Sequence, residues 1–160
     1  MALVYIALGA NLDEPLQQLN SAAQALAKLA EADSLTVSPF YRSVPMGDIP
    51  QPEYLNGVAS FHTSLSPLEL LDALQAIELN QGRQRLLRWG PRTLDLDMLL
   101  YDDLCLNSER LTLPHYGMKQ RSFVLVPLFD IAPELTLPCK TRLNQLISPA
   151  MRDELQRHQE

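Results

Sequence analysis

The chain has 160 residues, 46% of them hydrophobic and 20% charged, a composition that suits one globular domain with a buried core and argues against disorder. Its 19 acidic residues outnumber 13 Lys plus Arg, and a formal charge of -6 disfavours a nucleic-acid partner, which needs a broad basic surface. No segment approaches the length of a membrane span, and Met1 to Ala10 lacks the basic start and long apolar run of a signal peptide, so the expectation is a cytoplasmic, monomeric single domain over residues 1–160 with no membrane partner.

Leu3 to Leu8 is an apolar run rich in strand formers that stops at Gly9 and Asn11, which predicts a buried strand followed by a turn. Pro15 suits the first turn of a helix whose apolar positions Leu16, Leu19, Ala23, Leu26 and Leu29 keep helical spacing. Leu35 to Tyr41 predicts a strand weakened by Pro39, since proline is confined to sheet edges and strand ends. Leu55 to Thr63 predicts another strand. Between them Ser43 to Glu53 carries Pro45, Pro50 and Pro52, too irregular for a tight hairpin and therefore a candidate binding loop.

Ser66, Pro67 and Glu69 form a capping-box helix start, Leu70, Leu71, Leu74 and Ile77 supply its buried stripe, and Gly82 is placed to end it. Thr93 to Tyr101 predicts a strand, so the order is strand, helix, strand, strand, helix, strand. That order predicts an α+β fold, a ferredoxin-like βαββαβ antiparallel sheet with helices packed on one face. Beyond it Phe123 to Leu128 reads as helix or irregular core, Leu135 to Leu137 as a minor strand, and Leu143 to Leu155 as a short C-terminal helical extension broken at Pro149. Cys105 and Cys139 lack neighbours at ligand spacing and read as ordinary thiols.

The chemistry concentrates in Arg88-Trp89-Gly90-Pro91-Arg92-Thr93-Leu94-Asp95-Leu96-Asp97. In an extended strand Asp95 and Asp97 project from one face and Leu94, Leu96 and Met98 from the other, with the two aspartate Cα atoms roughly 6 to 7 Å apart. Two acids that close repel, and a hard cation such as Mg²⁺ completed by phosphate oxygens relieves the repulsion. An exposed edge strand would show the same pattern, but Arg83, Arg85, Arg88 and Arg92 precede it without one intervening acid. His115, Lys119 and Arg121 form a second acid-free basic cluster. Localised positive charge in an acidic chain suits a small polyanion held with metal, since guanidinium forks match phosphate geometry. No Walker-type glycine loop, G-x-G-x-x-G, G-x-S-x-G or H-E-x-x-H is present, so side chains and metal must hold any phosphates.

These motifs resemble the 6-hydroxymethyl-7,8-dihydropterin pyrophosphokinase family of folate biosynthesis over nearly the whole chain. The resemblance is also carried by Tyr5-Ile6-Ala7-Leu8-Gly9-Ala10-Asn11-Leu12, Phe40-Tyr41-Arg42, Tyr54-Leu55-Asn56, Glu78-Leu79-Asn80-Gln81-Gly82-Arg83, and Pro114-His115-Tyr116 leading to Arg121. It implies transfer of diphosphate from the co-substrate ATP to the hydroxymethyl group of a reduced pterin, with release of AMP. It assigns Asp95 and Asp97 to two Mg²⁺ ions, and Arg83 and Arg92 to catalysis beside them. Leu71, Gln75, Arg85, Trp89, Arg92, Met98, Thr112, His115, Tyr116 and Arg121 are implied ATP-binding residues. Ser43, Val44, Pro45, Met46, Tyr54, Asn56, Trp89 and Phe123 are implied pterin-binding residues, with the ring between Tyr54 and Phe123. Asp97 is a candidate acceptor for the proton lost from the pterin hydroxyl.

Ala10 replaces a serine usual in the Gly-Ser-Asn turn of the family, Val44 stands where proline is common, and the segment between Gly82 and Trp89 is one residue short, which shifts the register of Arg85 and Arg88. The segments Ser43 to Glu53 and Arg83 to Arg92 are expected to close over bound substrates. Two other readings compete: a different Mg²⁺-dependent phosphoryl or nucleotidyl transferase, and a catalytically silent ferredoxin-like binding module.

Overall fold

The apolar run at the start of the chain is strand β1 (Ala2–Ala10) in the computed structural model, which describes residues 2–10, 15–31, 33–43, 54–80, 94–115, 118, 122–138, 140–149 and 156–157. Helix α1 (Pro15–Leu29) follows, then two short strands, β2 (Thr36–Val37) and β3 (Tyr41–Ser43), and the long strand β4 (Tyr54–Thr63). Helix α2 (Pro67–Asn80) leads to β5 (Asp95–Tyr101), and a small hairpin is made by β6 (Leu106–Asn107) and β7 (Thr112–Leu113). Helix α3 (Ser122–Ile131), a 3-10 turn (Leu143–Gln145) and β8 (Gln156–Arg157) complete the described chain.

The main sheet runs β5-β1-β4-β3-β8, with β2 also paired to β4, and every pairing is antiparallel. With β2 and β3 counted as one interrupted strand, this is the ferredoxin-like arrangement that the order of elements predicts. Pro39 explains the interruption, because it has no N–H to give to a ladder. Ser38 covers the gap. Its backbone N–H donates to the Val58 carbonyl at 2.8 Å, and its Oγ accepts the Val58 N–H at 2.9 Å. Phe40 lies across Gly57, where a Cβ would come within 2.6 Å of the ring, so β4 is bare at that position to let the chain pass.

Central strand β1 is covered on both faces, which is why its sequence is a continuous apolar run instead of an alternating one. On one face Val4, Ile6 and Leu8 join Leu19, Ala22 and Leu26 of α1, Leu70 and Leu74 of α2, and Leu94, Leu96 and Met98. Ala22, not the expected Ala23, is the alanine that faces this core. On the other face Tyr5, Val58, Leu99 and Leu100 pack with Val124, Leu125 and Leu128 of α3. The expectation of helices on one face therefore holds for α1 and α2, while α3 covers the opposite face. Its ten residues are apolar nearly all round, as a helix in a deep core must be.

Two further departures are local. Leu135 to Leu137 contributes one isolated bridge, Thr136 to Arg142, and of the expected terminal helical segment Leu143–Gln145 is a 3-10 turn, while residues 150–155 lie outside the described residues. The β6–β7 hairpin has no counterpart in the sequence reading, because two-residue strands carry no usable periodicity. Among the described residues no helix is long and apolar enough to cross a membrane.

The capping box at α2 forms with both bonds in place. Glu69 Oε1 accepts the Ser66 N–H at 3.0 Å, and Ser66 Oγ accepts the Glu69 N–H at 3.3 Å. Hydrogen bonds to the Glu69 carboxyl from the Ser66 backbone N–H, and then from the Ser66 hydroxyl, hold it below its ordinary range. A lowered folded-state value means that the stabilisation is present above the unfolded carboxylate's pKa and is lost as pH falls through the folded one. Glu69→Ala should accordingly unfold at lower urea concentration than the wild type at pH 7, and the gap should narrow in acid. A gap independent of pH would show that the carboxylate's charge takes no part in the box, and no gap at pH 7 would show that the box adds nothing.

Candidate active site

Strand β5 alternates as its sequence requires. Leu94, Leu96 and Met98 are buried in the first apolar cluster, while Asp95 is half-buried and Asp97 exposed on the opposite face. Asp95 pairs with Gly9 of β1, and Gly9 pairs on its other side with Asn56 of β4. Asp97, Ala7 and Val58 form the next rung of that face. Residues directly opposite in an antiparallel pair share a face, so Asn56, Asp95 and Asp97 emerge together, the first two about 10 Å apart across the intervening strand.

Gly9 makes this juxtaposition possible. A Cβ there would lie 2.9 Å from Asn56 Oδ1, so the asparagine amide lies over a position that any other residue would fill. Asn56 is 6% exposed, deep enough that a ligand's hydrogen bonds would replace protein contacts and not bulk water. Tyr54, two residues earlier on the same face of β4, is half-buried, as is Phe123 in the first turn of α3, which packs against the second cluster on this side of the sheet. An amide and two aromatic side chains therefore share a face with two carboxylates.

The other expected nucleotide residues lie around β5 and α2. The His115 N–H donates to the Leu99 carbonyl at 3.0 Å, which fixes the segment after β7 alongside β5. Leu71 and Gln75 are half-buried on α2, and Thr112 is half-buried on β7. Arg110 joins these two elements, with Nη2 2.5 Å from Asp72 Oδ1 and 3.5 Å from Gln75 Oε1. The Met98 side chain is 3% exposed and belongs to the core. Arg83, Arg85, Arg88, Trp89, Arg92, Tyr116, Arg121, Val44, Pro45, Met46 and the Ser43 side chain lie outside the described residues, as do both segments expected to close; the Ser43 backbone pairs with Tyr54 at the end of β3.

Among the described residues no group of three His, Cys, Asp or Glu side chains gathers as a ready-made metal cage. The donor set at β5 is a carboxylate pair, hard oxygen ligands that suit Mg²⁺ completed by water and phosphate oxygens and do not suit zinc. Beside the pair, Gly9 and Ala7 contribute nothing larger than a methyl group. A Mg²⁺ ion fits the residues present.

Sequence reasoning gave Gly9 only the end of the first strand, which in fact runs on to Ala10, and gave Arg110 and Glu78 no part in the site. Glu78 is the least expected of these. It is 4% exposed, and its Oε2 accepts the Leu96 N–H at 2.9 Å, between the two aspartates. The signal was available in principle: Glu78 stands four residues after Leu74, on the stripe that α2 turns to the core.

Residues 5–133 match the family model described as 7,8-dihydro-6-hydroxymethylpterin-pyrophosphokinase. The chain is 52% identical over 147 residues to the 2-amino-4-hydroxy-6-hydroxymethyldihydropteridine pyrophosphokinase of Haemophilus influenzae, an alignment that covers 92% of each. It is 54% identical over 145 residues to the enzyme of the same name from Pseudomonas aeruginosa, covering 91% of this chain and 90% of the relative. A crystal structure of an HPPK-DHPS in complex with substrates superposes with a TM-score of 0.73 at 13% identity, over 98% of this chain and 46% of the other, so the chain spans about half the length of that protein and shares its fold over that half. By sequence match over most of its length, the chain belongs to the 7,8-dihydro-6-hydroxymethylpterin-pyrophosphokinase family.

Proposed function

We propose that this chain, as one domain, catalyses the Mg²⁺-dependent transfer of diphosphate from ATP to the hydroxymethyl oxygen of 6-hydroxymethyl-7,8-dihydropterin, releasing AMP, in folate biosynthesis. The observation that carries the site assignment is the rung Asn56, Gly9, Asp95, which sets a buried amide on one side of a bare glycine and a carboxylate on the other. Asn56 reads the pterin edge, and Tyr54 and Phe123 flank the ring, while Asp95 and Asp97 hold two Mg²⁺ ions against the triphosphate. Bound there, Mg²⁺ supplies charge neutralisation along the phosphates.

The hydroxymethyl oxygen then bonds to the β-phosphorus as the bond from that phosphorus to the α–β bridging oxygen breaks, and AMP leaves with the electron pair. Such a transfer requires in-line positioning and charge stabilisation more than covalent help. A rigid sheet is suited to that task, because Asn56 and Asp95 are held at a separation fixed by two antiparallel pairings. Asp97, exposed one rung further along the same face, is the candidate acceptor for the hydroxyl proton. Arg83 and Arg92 stabilise the charge that develops on the transferred group, and Leu71, Gln75, Thr112, His115 and the Met98 backbone line the nucleotide. Arg85, Trp89, Tyr116 and Arg121 complete the ATP contacts, and Ser43, Val44, Pro45 and Met46 complete those to the pterin. The enzyme acts as a cytoplasmic monomer on two small molecules. ATP turnover assayed with and without the reduced pterin tests the reaction: pterin-dependent AMP is the expected product, and ADP would point to ordinary kinase chemistry.

Asp95→Ala and Asp97→Ala should each lower turnover at saturating ATP and Mg²⁺ more than about a hundredfold, since each removes a metal ligand. Their urea midpoints should stay close to that of the wild type, because neither side chain is part of the core. Near-normal turnover of either variant would remove the metal assignment. Replacing Tyr54, Asn56 or Phe123 by Ala should weaken pterin binding by roughly tenfold while leaving the affinity for an ATP analogue within about twofold. Calorimetric titration separates the two ligands, and equal losses for both would place these residues in the general framework instead of the pterin pocket.

A further inference from the structure

Glu78 is expensive to keep where it is. It is a carboxylate at 4% exposure, and it stands in the last turn of α2, where the negative end of the helix dipole opposes it. The last turn of α2 carries no basic residue. Its Oε2 accepts the Leu96 N–H at 2.9 Å.

The position of Leu96 gives that bond its meaning. Among the described residues β5 lies at the end of the main sheet, paired in it with β1 alone. Ladder bonds in an antiparallel pair alternate, so an N–H at Leu96 turned away to Glu78 leaves Asp95 and Asp97 as the residues whose backbone faces β1, opposite Gly9 and Ala7. The backbone between the two aspartates is thus held on one side by the ladder and on the other by a carboxylate from the helix layer. The Leu96 side chain, buried at 5% exposure, points into the first cluster and keeps water from serving as the substitute acceptor.

We infer that Glu78 is a positioning residue for the carboxylate pair: by accepting the Leu96 N–H it fixes the twist of β5 between Asp95 and Asp97 and so sets the separation of their side chains. Glu78 does not touch substrate; it acts through the backbone. The inference rests on the reading of Asp95 and Asp97 as the Mg²⁺ ligands. Its chemical core is the reach of an oxygen acceptor, not the charge that the oxygen carries. A glutamine preserves that reach, and an aspartate, one methylene shorter, withdraws it.

The test uses the full-length protein with MgCl₂ and a non-hydrolysable ATP analogue. In the metal-free wild type, hydrogen exchange at the Leu96 amide should be slow, although among the described residues β5 lies at the end of the main sheet; exchange at the rate of an exposed amide would overturn the inference on the wild type alone. Glu78→Asp should speed that exchange and raise the Mg²⁺ concentration for half-maximal analogue binding by about tenfold, the effect expected of an unpaired buried donor. Pterin affinity should change less than about twofold. Glu78→Gln should stay within about twofold of wild type in Mg²⁺ requirement. A tenfold shift in Glu78→Gln, or none in a folded Glu78→Asp, would overturn the inference. If analogue binding by the wild type shows no Mg²⁺ dependence, the metal reading of the aspartates fails instead, and the two failures are thereby distinguished.

Discussion

A slip of β5 by one residue against β1 would turn Asp95 and Asp97 into the apolar cluster under α1 and α2 and bring Leu94 and Leu96 to the opposite face. Burying two carboxylates and exposing two leucines would cost many kilocalories per mole, so this register is the constraint on which the site depends. β4 is subject to the same rule on the other side of β1. Phe61, with no exposed surface, and Leu55 face the first cluster, and Asn56 and Val58 face the other way. Hydrophobic alternation in two strands thereby delivers an amide and two carboxylates to one side of a third.

That face is divided along its length. Toward the start of β1, Tyr5 meets Leu99, Leu100, Val58 and the apolar surface of α3. Toward its end Gly9 stands between Asn56 and Asp95. The second cluster anchors the apolar half of this face, and the polar groups stand at its other end. At the far end, Asp102 adopts a positive φ of 50° and closes β5 against β1, accepting the Leu3 N–H through Oδ1 at 2.7 Å and donating its own N–H to the Leu3 carbonyl at 2.8 Å. β5 is therefore held at both ends, by Asp102 near its finish and by Glu78 near its start.

Glu78, Asp95 and Asp97 bring negative charge to one short stretch of an already acidic chain. Such a region is poised for cations, because every positive charge that binds relieves repulsion built into the fold. The sequence places arginines immediately before β5, at positions 83, 85, 88 and 92, so charge of opposite sign follows closely along the chain.

Most of this was legible in local sequence wherever a periodic constraint acted. The alternation of Leu94 to Met98 specified which face of β5 carries acid, the capping box specified where α2 begins, and Pro39 specified where the second strand would break. The family was legible for a related reason: an Asp-x-Asp after an arginine-rich segment is a motif carried within a few consecutive residues. Tertiary structure decided what depends on residues far apart in the chain. That Gly9 must be bare follows only from Asn56 lying across it, 47 positions later. That α3 covers the second face follows from the size of the apolar surface β1 and β4 leave there, which no single segment reveals. Glu78 shows the limit most directly: on a helix wheel it is a misplaced charge in a core stripe, and only the docking of α2 beside β5 brings its carboxylate to the Leu96 N–H.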